Sequence, residues 1–270
     1  MMNPVDDLAS RALSVDEAWM ALGNEWFEAE GATYIRNLEA PLIRDANHVR
    51  NVRASTPEEI EALLARVEQE FAGVPHRCFR VDHRMPPLLE ARVALEGYQR
   101  GETLMLALEG DLLGAVKEHD IRPVESEHDW EAYRGLREMD WQDYVQRQNR
   151  PYDETEVRAV DQMVSSCRAK SPPVRYWLAY VDGQPRAYLG SWEGRDGVGQ
   201  VEDLFTHPDF RHRGLATALI RHGVADCRAC GAGPIAIAAD PSDTPKQMYA
   251  AMGFRPVAVT RSYWKTVAAG

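Results

Sequence analysis

An α/β protein is what this sequence predicts, on three observations. From about Asp120 onward, elements follow in the order strand, helix, helix, strand, strand, strand, helix, strand, helix, strand. The breaks between them carry turn chemistry, as at Asp182-Gly183 and Gly231-Ala-Gly-Pro234. The first half repeats part of the same order.

In that first half, Asn51-Val-Arg53 ends a strand, and residues 58–71 form a helix with Ile60, Leu63, Leu64, Val67 and Phe71 on one face. Thr56-Pro57-Glu58-Glu59 reads as a capping box with proline at the first helical position, so this helix satisfies its own N-terminus and leaves no free N–H cluster. A strand over 78–81, a helix from Pro87 to the stop at Gly97-Tyr98 and a strand over 103–108 complete the echo. The echo is of order, not of letters: four residues before Gly97 stands Val93, whereas four before Gly253 stands Tyr249.

The second half opens with a strand over 121–124. Helices over 130–145 and 154–168 follow, separated by the breaker Asn149-Arg-Pro151. Strands over 176–181 and 186–192 join across Asp182-Gly183, a hairpin signal, and Arg195-Asp-Gly197 turns the chain into a strand over 200–206. The next helix shows Leu215, Leu219, Ile220, Val224 and Cys227 on a broad apolar face. A short buried strand over 235–239, a short helix over 245–252 ended by Gly253, and a strand over 254–264 close the pattern.

Composition narrows the functions. With 42 Asp plus Glu against 31 Lys plus Arg, the net charge of −11 opposes binding to nucleic acid or anionic membranes. The first residues, MMNPVDDLASRALSVD, hold no apolar core segment of a secretory signal, and no apolar run is long enough to span a bilayer, so a cytoplasmic protein is expected. Cys78, Cys167, Cys227 and Cys230 are too few and too irregular for a disulfide framework, and reduced thiols are the expectation. Cys227-Arg-Ala-Cys230 has the spacing of a metal knuckle or redox pair, but without a second such pair it reads as small packing residues, and no metal site is expected.

The chemistry lies in Thr206-His-Pro-Asp-Phe-Arg-His-Arg-Gly-Leu-Ala-Thr217, a strand end and turn running into the amphipathic helix. At a helix N-terminus the first N–H groups lack intrahelical acceptors and carry partial positive charge, so an anion satisfies them. Gly214 allows close backbone approach, and Arg211 and Arg213 offer charge-assisted contacts to phosphate oxygens. An ordinary strand-to-helix turn with basic residues is the alternative. His207 and His212 flank the turn, and only a backbone role is expected for His212.

Leu204-Phe-Thr-His-Pro-Asp-Phe-Arg-His-Arg-Gly-Leu-Ala216, together with Met248-Tyr-Ala-Ala-Met-Gly-Phe254, resembles the GNAT superfamily of acyl-CoA-dependent N-acetyltransferases. The resemblance covers residues 118–266, and the tandem arrangement with a degenerate first half is similar to two-domain members. It implies a mixed, mostly antiparallel sheet flanked by helices, whose fourth and fifth strands splay apart at a bulge. It divides the chain into a degenerate domain over 1–115, without a cofactor site, and a catalytic domain over 116–270. It assigns backbone groups of Leu204, Phe205 and Thr206 to the pantetheine of acetyl-CoA, and those of Arg211, His212, Arg213, Gly214, Leu215, Ala216 and Thr217 to its pyrophosphate. Ser242 stands where relatives place an asparagine on the cofactor arm, while Asp243 or Thr244 alternatively caps the helix from Pro245.

Acetyl transfer needs a neutral amine, whereas an alkylammonium with a pKa near ~10.4 is protonated at neutral pH, so a base is required. Strand alternation puts Gln200, Glu202, Leu204 and Thr206 on one face and Asp203 on the other. The position where relatives carry a glutamate aligns with Gln200, which cannot act as a base; Glu202 is the preferred candidate, with Asp203 as the alternative. A backbone N–H of the splayed strand is the expected donor to the thioester oxygen. Tyr249 matches the residue the family often uses as general acid, unless it only packs. Trp141, Tyr144, Tyr152, Trp177, Tyr188 and Trp192 border the acceptor side or belong to the core. The implied activity is direct transfer of acetyl to a primary amine of a small molecule or peptide, by a monomer or homodimer. The alternative is a catalytically weak CoA-binding sensor or interaction protein.

Overall fold

The computed structural model describes residues 4–115, 117–242 and 244–267, and its chain divides into two units. One unit comprises residues up to Trp19 and Met105–Val257; the other comprises Met20–Leu104 and the chain from Ala258. The resemblance implies a division at 115/116. Residue 116 lies outside the described residues, and the observed units differ from that division at both ends of the chain. The N-terminal difference is helix α1 (Pro4–Ala21), which belongs mostly to the unit of the second half. Leu8, Ala12, Val15 and Trp19 recur at three- and four-residue spacing and are buried, which makes one stripe of the helix apolar.

The unit from Met20 begins with a hairpin, β1 (Glu25–Ala29) and β2 (Ala32–Arg36), turned at Glu30 and Gly31, both with positive φ. Strand β3 (His48–Arg50) lies antiparallel to β2 and parallel to β4 (His76–Val81). Between them, α2 (Pro57–Glu70) buries Ile60, Leu63, Leu64 and Val67 in a core that includes Tyr34, Phe79 and Tyr263. Each such aliphatic side chain removed from water stabilises the fold by ~1.5–3 kcal/mol. Helix α3 (Pro87–Leu95) adds Leu89 and Val93 to the same core. Strand β5 (Gln99–Leu108) starts in this unit and ends in the other.

The second half supplies β6 (Asp120–Pro123), α4 (Glu127–Arg147), α5 (Glu154–Lys170), β7 (Arg175–Val181), β8 (Gln184–Arg195), β9 (Val198–Thr206), α6 (Leu215–Ala229), β10 (Ile235–Ala239), α7 (Pro245–Ala251) and β11 (Arg255–Thr266). Its sheet runs in the order β10-β9-β8-β7-β6, antiparallel throughout except for the parallel pair β9/β10. The end of β5 lies beside β10, while the part of β11 beyond Val257 lies antiparallel to β4. The fold expected from the sequence, a mixed and mostly antiparallel sheet flanked by helices, is the one observed.

The two faces of the β8/β9 pair have different partners. On one, a Cβ added to Gly223 of α6 would meet Leu189, Val201 and Ser191, and Ser191 Oγ donates to Asp226 of α6 at 2.6 Å. On the other, Trp19 of α1 covers Gly190 and Trp192, and Arg137 of α4 donates to the Tyr188 hydroxyl at 2.9 Å. That second face carries the candidate chemistry.

Candidate active site

Strand β9 changes its facing part-way along. Gly190 pairs with Glu202 and Tyr188 pairs with Phe205, so β9 has one residue more than β8 in this stretch. The extra residue is accommodated at Asp203, which takes a left-handed φ of 56°. The bulge corrects two expectations drawn from strict alternation. Phe205, not Leu204 or Thr206, continues the face of Gln200 and Glu202, with its ring 5.6 Å from that of Tyr188. Asp203 does not point away from that face: its carboxylate pairs with Arg137 of α4 at 3.4 Å.

The bulge adjoins the point where β9 and β10 part. Their parallel register consists of Gly199 with Ile235 and Gln200 with Ala236. Farther on, the backbone ladder gives way to a side chain: Glu202 Oε1 accepts the N–H of Ala238 at 3.0 Å. The same oxygen lies 3.5 Å from Gln200 Nε2, and Glu202 Oε2 accepts the N–H of Asp203 at 3.4 Å. Among the described residues, the backbone register of β9 with β10 ends at Gln200, and Leu204, Phe205 and Thr206 lie beyond it on the open β10-facing edge of β9.

The turn after β9 ends at an uncapped helix. A short 3-10 turn, Pro208–Phe210, is followed by His212 at φ 62° and Gly214 at φ 90°. Gly214 is the N-cap of α6, without a side-chain hydrogen bond, and the helix ladder starts with Ala218 N–H on the Gly214 carbonyl at 3.0 Å. The N–H groups of Leu215, Ala216 and Thr217 precede that first bond. A Cβ at Gly214 would lie 3.4 Å from Lys117 Cδ and 3.5 Å from His119 Nε2, in a backbone conformation that L side chains rarely adopt. Arg211 donates to the Thr206 carbonyl at 3.3 Å and pairs with Asp143 of α4 at 3.4 Å. Arg213 donates to the Asp209 carbonyl and stacks on Phe210. Both guanidinium groups thus brace the turn.

The acetyltransferase (GNAT) family model matches residues 130–254, which contain this strand, bulge, turn and helix. The chain carries a GNAT-family acetyltransferase domain. No curated protein matches the chain in sequence. Among solved structures, a GCN5-related N-acetyltransferase from Kribbella flavida is 18% identical with a TM-score of 0.65, covering 98% of this chain and 96% of that one. A functionally unknown conserved protein from Staphylococcus epidermidis is 17% identical with a TM-score of 0.67, covering 91% and 95%. A tandem GNAT protein from the clavulanic acid biosynthesis pathway is 15% identical with a TM-score of 0.51, covering 79% and 68%. At these identities the likeness is one of fold.

Within the GNAT domain, the electrostatics centre on Glu202. The residue keeps partial exposure, but its carboxyl group is desolvated and faces the negative charges of Asp16 and Asp203, which together push its pKa up to about 8. Beside it, Tyr188 donates to Asp140 at 2.7 Å, and burial raises the Asp140 pKa above its ordinary value. Asp16, Arg137 and Asp140 were not singled out from the sequence. A signal for Asp16 exists: it falls on the apolar stripe of α1 between Val15 and Trp19, where a carboxylate needs a partner.

The other candidate residues have structural engagements. Tyr249 is buried on α7, its ring 6.2 Å from that of Phe254, and Thr217 of α6 touches the neighbouring Met248 at 3.8 Å. The Ser242 hydroxyl donates to Asp240 at 2.6 Å. Asp243 lies outside the described residues, and Thr244 makes no side-chain cap on α7. Of the aromatics, Trp141 donates to Glu156, Tyr152 to Glu138 and Trp177 to Ser191; Tyr144 stacks on Trp141, and Trp192 packs with Trp19. Tyr188 is the one of the six that reaches the carboxylates beside the bulge. Cys78, Cys167 and Cys227 are buried thiols and Cys230 is exposed. Burial pushes the Cys227 thiol up to about 12, and it donates to the Trp192 carbonyl at 3.1 Å, as a packing residue does. Among the described residues, no helix is long and apolar enough to cross a membrane.

Proposed function

We propose that the GNAT domain is an acetyl-CoA-dependent N-acetyltransferase that passes acetyl directly to a primary amine of a small molecule or peptide. The observation that carries this reading is the uncapped, glycine-started N-terminus of α6 at the end of the open edge of β9. A cradle that a Cβ would disturb, with N–H groups awaiting an acceptor, fits a pyrophosphate. Backbone groups of Leu204, Phe205 and Thr206 would receive the pantetheine, those of Arg211, His212, Arg213, Gly214, Leu215, Ala216 and Thr217 the pyrophosphate, and Ser242 the cofactor arm. When bound, acetyl-CoA supplies an activated acetyl thioester.

The chain's own residues supply proton handling. Glu202, with its pKa near 8, would take a proton from an ammonium once it is itself deprotonated, as pH rises toward 8, directly or through a water. A backbone N–H of β9 on its splayed stretch would be the donor to the thioester oxygen. Tyr249 would be the general acid for the thiolate that leaves. We assign the catalytic role to the unit that contains this site and no cofactor role to the unit from Met20, whose helix α2 is capped by its own side chains.

The test is calorimetric titration of acetyl-CoA and free CoA into wild type and Gly214→Glu, which places a side chain and a negative charge in the turn. Micromolar binding lost in the variant is the expected result, and CoA release with a panel of amines then identifies the acceptor. An absence of binding to wild type sinks the proposal.

A further inference from the structure

Helix α1 brings a carboxylate to the buried side of β9. Asp16 is 5% exposed, and Gln200 is fully buried. Gln200 Nε2 donates to Asp16 Oδ1 at 3.2 Å and lies 3.5 Å from Glu202 Oε1, the oxygen that also accepts the Ala238 N–H. One amide NH2 group, with two hydrogens, thus stands between two carboxylates. Its neutrality matters. A glutamate at position 200 would add a further carboxylate to the cluster of Asp16, Glu202 and Asp203, where like charges cannot all ionise. Gln200 is then a bridge rather than a lost base.

We propose that Asp16 and Gln200 are positioning residues for Glu202: Asp16 anchors the Gln200 amide, and that amide holds the Glu202 carboxyl group across the gap between β9 and β10. The proposal rests on the reading of Glu202 as the base. It makes the N-terminal helix part of the catalytic unit. The other groups facing Glu202 are Asp203 on β9, itself held by Arg137 of α4, and the backbone N–H of Ala238 on β10. Asp140 of α4 stands behind them, bound to Tyr188.

The test is a 13C NMR titration of the full chain labelled at glutamate carboxyls, with the Glu202 signal assigned by its loss in Glu202→Gln. The expected wild-type midpoint is near pH 8. Asp16→Asn keeps the size and removes a negative charge, so the midpoint moves down by ~1 pH unit, and Asp16→Glu restores it. Gln200→Met keeps the volume and removes a donor to the carboxylate, so the midpoint moves up. These opposite shifts would not arise from a merely structural loosening, which drives both toward the ordinary glutamate value. Midpoints unchanged in both Asp16→Asn and Gln200→Met, or a wild-type midpoint in the ordinary range, overturn the proposal. The titration needs no acetyl transfer. Opposite shifts in a protein that binds no acetyl-CoA would leave the positioning of Glu202 by Asp16 and Gln200 standing while the proposed function falls.

Discussion

Two strand-turn-helix segments of this chain, β3 into α2 and β9 into α6, occupy corresponding places in its two halves and differ in how the helix begins. In each, the strand is parallel to the one that follows the helix. At α2, Thr56 Oγ1 accepts the Glu59 N–H at 3.3 Å, and Glu59 Oε2 accepts the N–H groups of Ser55 and Thr56 at 2.8 and 3.1 Å. Pro57 has no N–H to offer. At α6, Gly214 has no side chain to fold back. The strands differ as well: β3 is His48-Val49-Arg50, whereas β9 carries Glu202 and Asp203. A helix N-terminus attracts an anion only if nothing in the chain already satisfies it, and the first half spends that capacity on its own stability.

The largest expected effect sharpens the difference between the strands. Glu202→Gln should lower turnover by ~10²–10⁴-fold while leaving acetyl-CoA affinity nearly unchanged, read by steady-state kinetics and calorimetry. The same variant has a stability signature. Because the Glu202 pKa is raised from 4.5 to about 8, the folded state holds this proton more tightly than the unfolded state. That contribution is fully present below about pH 4.5 and is lost as pH rises through about 8. The variant does not lose it, so its melting temperature should gain on wild type between pH 6 and pH 9. A constant difference across that range would contradict the raised pKa. For Tyr249→Phe, turnover should fall by ~10²-fold or more, with little change in acetyl-CoA affinity. Unchanged turnover would leave Tyr249 a packing residue against Phe254.

Next in size is an attempt to erase the contrast between the helices. Thr217→Glu places at the third position of α6 the carboxylate that Glu59 supplies at α2, and leaves Gly214 with its positive φ in place. Two charge-assisted hydrogen bonds to an anion, at ~1.5 kcal/mol each, are then lost to the cap, which lowers acetyl-CoA affinity by ~10²-fold in calorimetry. Retained affinity would mean that the α6 N-terminus is not where the pyrophosphate sits.

The comparison also separates what the sequence discloses from what it conceals. Both helix starts were legible, because capping chemistry involves residues within four positions of each other. The resemblance implies a bulge but not its position: Asp203 is an ordinary strand-end aspartate until its φ turns positive, and the facing of Phe205 and Thr206 follows from that one dihedral. Strand partners were hidden for a different reason. The end of β5 lies beside β10 and β11 lies beside β4, pairings between remote segments that no local periodicity encodes. Gln200 read as a missing base because its partner, Asp16, lies 184 residues away. The stripe Leu8, Ala12, Val15, Trp19 announces an amphipathic helix, yet says nothing of the sheet it covers.

The smallest effect tests the comparison from the other side. Thr56→Ala removes the acceptor for the Glu59 N–H and should cost ~1 kcal/mol of stability in urea denaturation. Opening the cap should not create a cofactor site. Glu59 keeps its bonds to the Ser55 and Thr56 N–H groups, its pKa held below the ordinary glutamate value by those donors, so a carboxylate still covers the helix end at neutral pH. As pH falls through that lowered pKa, the carboxylate is protonated and its part of the cap is lost. In a Thr56→Ala protein that also carries Gly214→Glu, acetyl-CoA binding should therefore stay absent at neutral pH. Binding there would show that the cap alone keeps acetyl-CoA from the first half, and that a strand carboxylate like Glu202 of β9 is not needed.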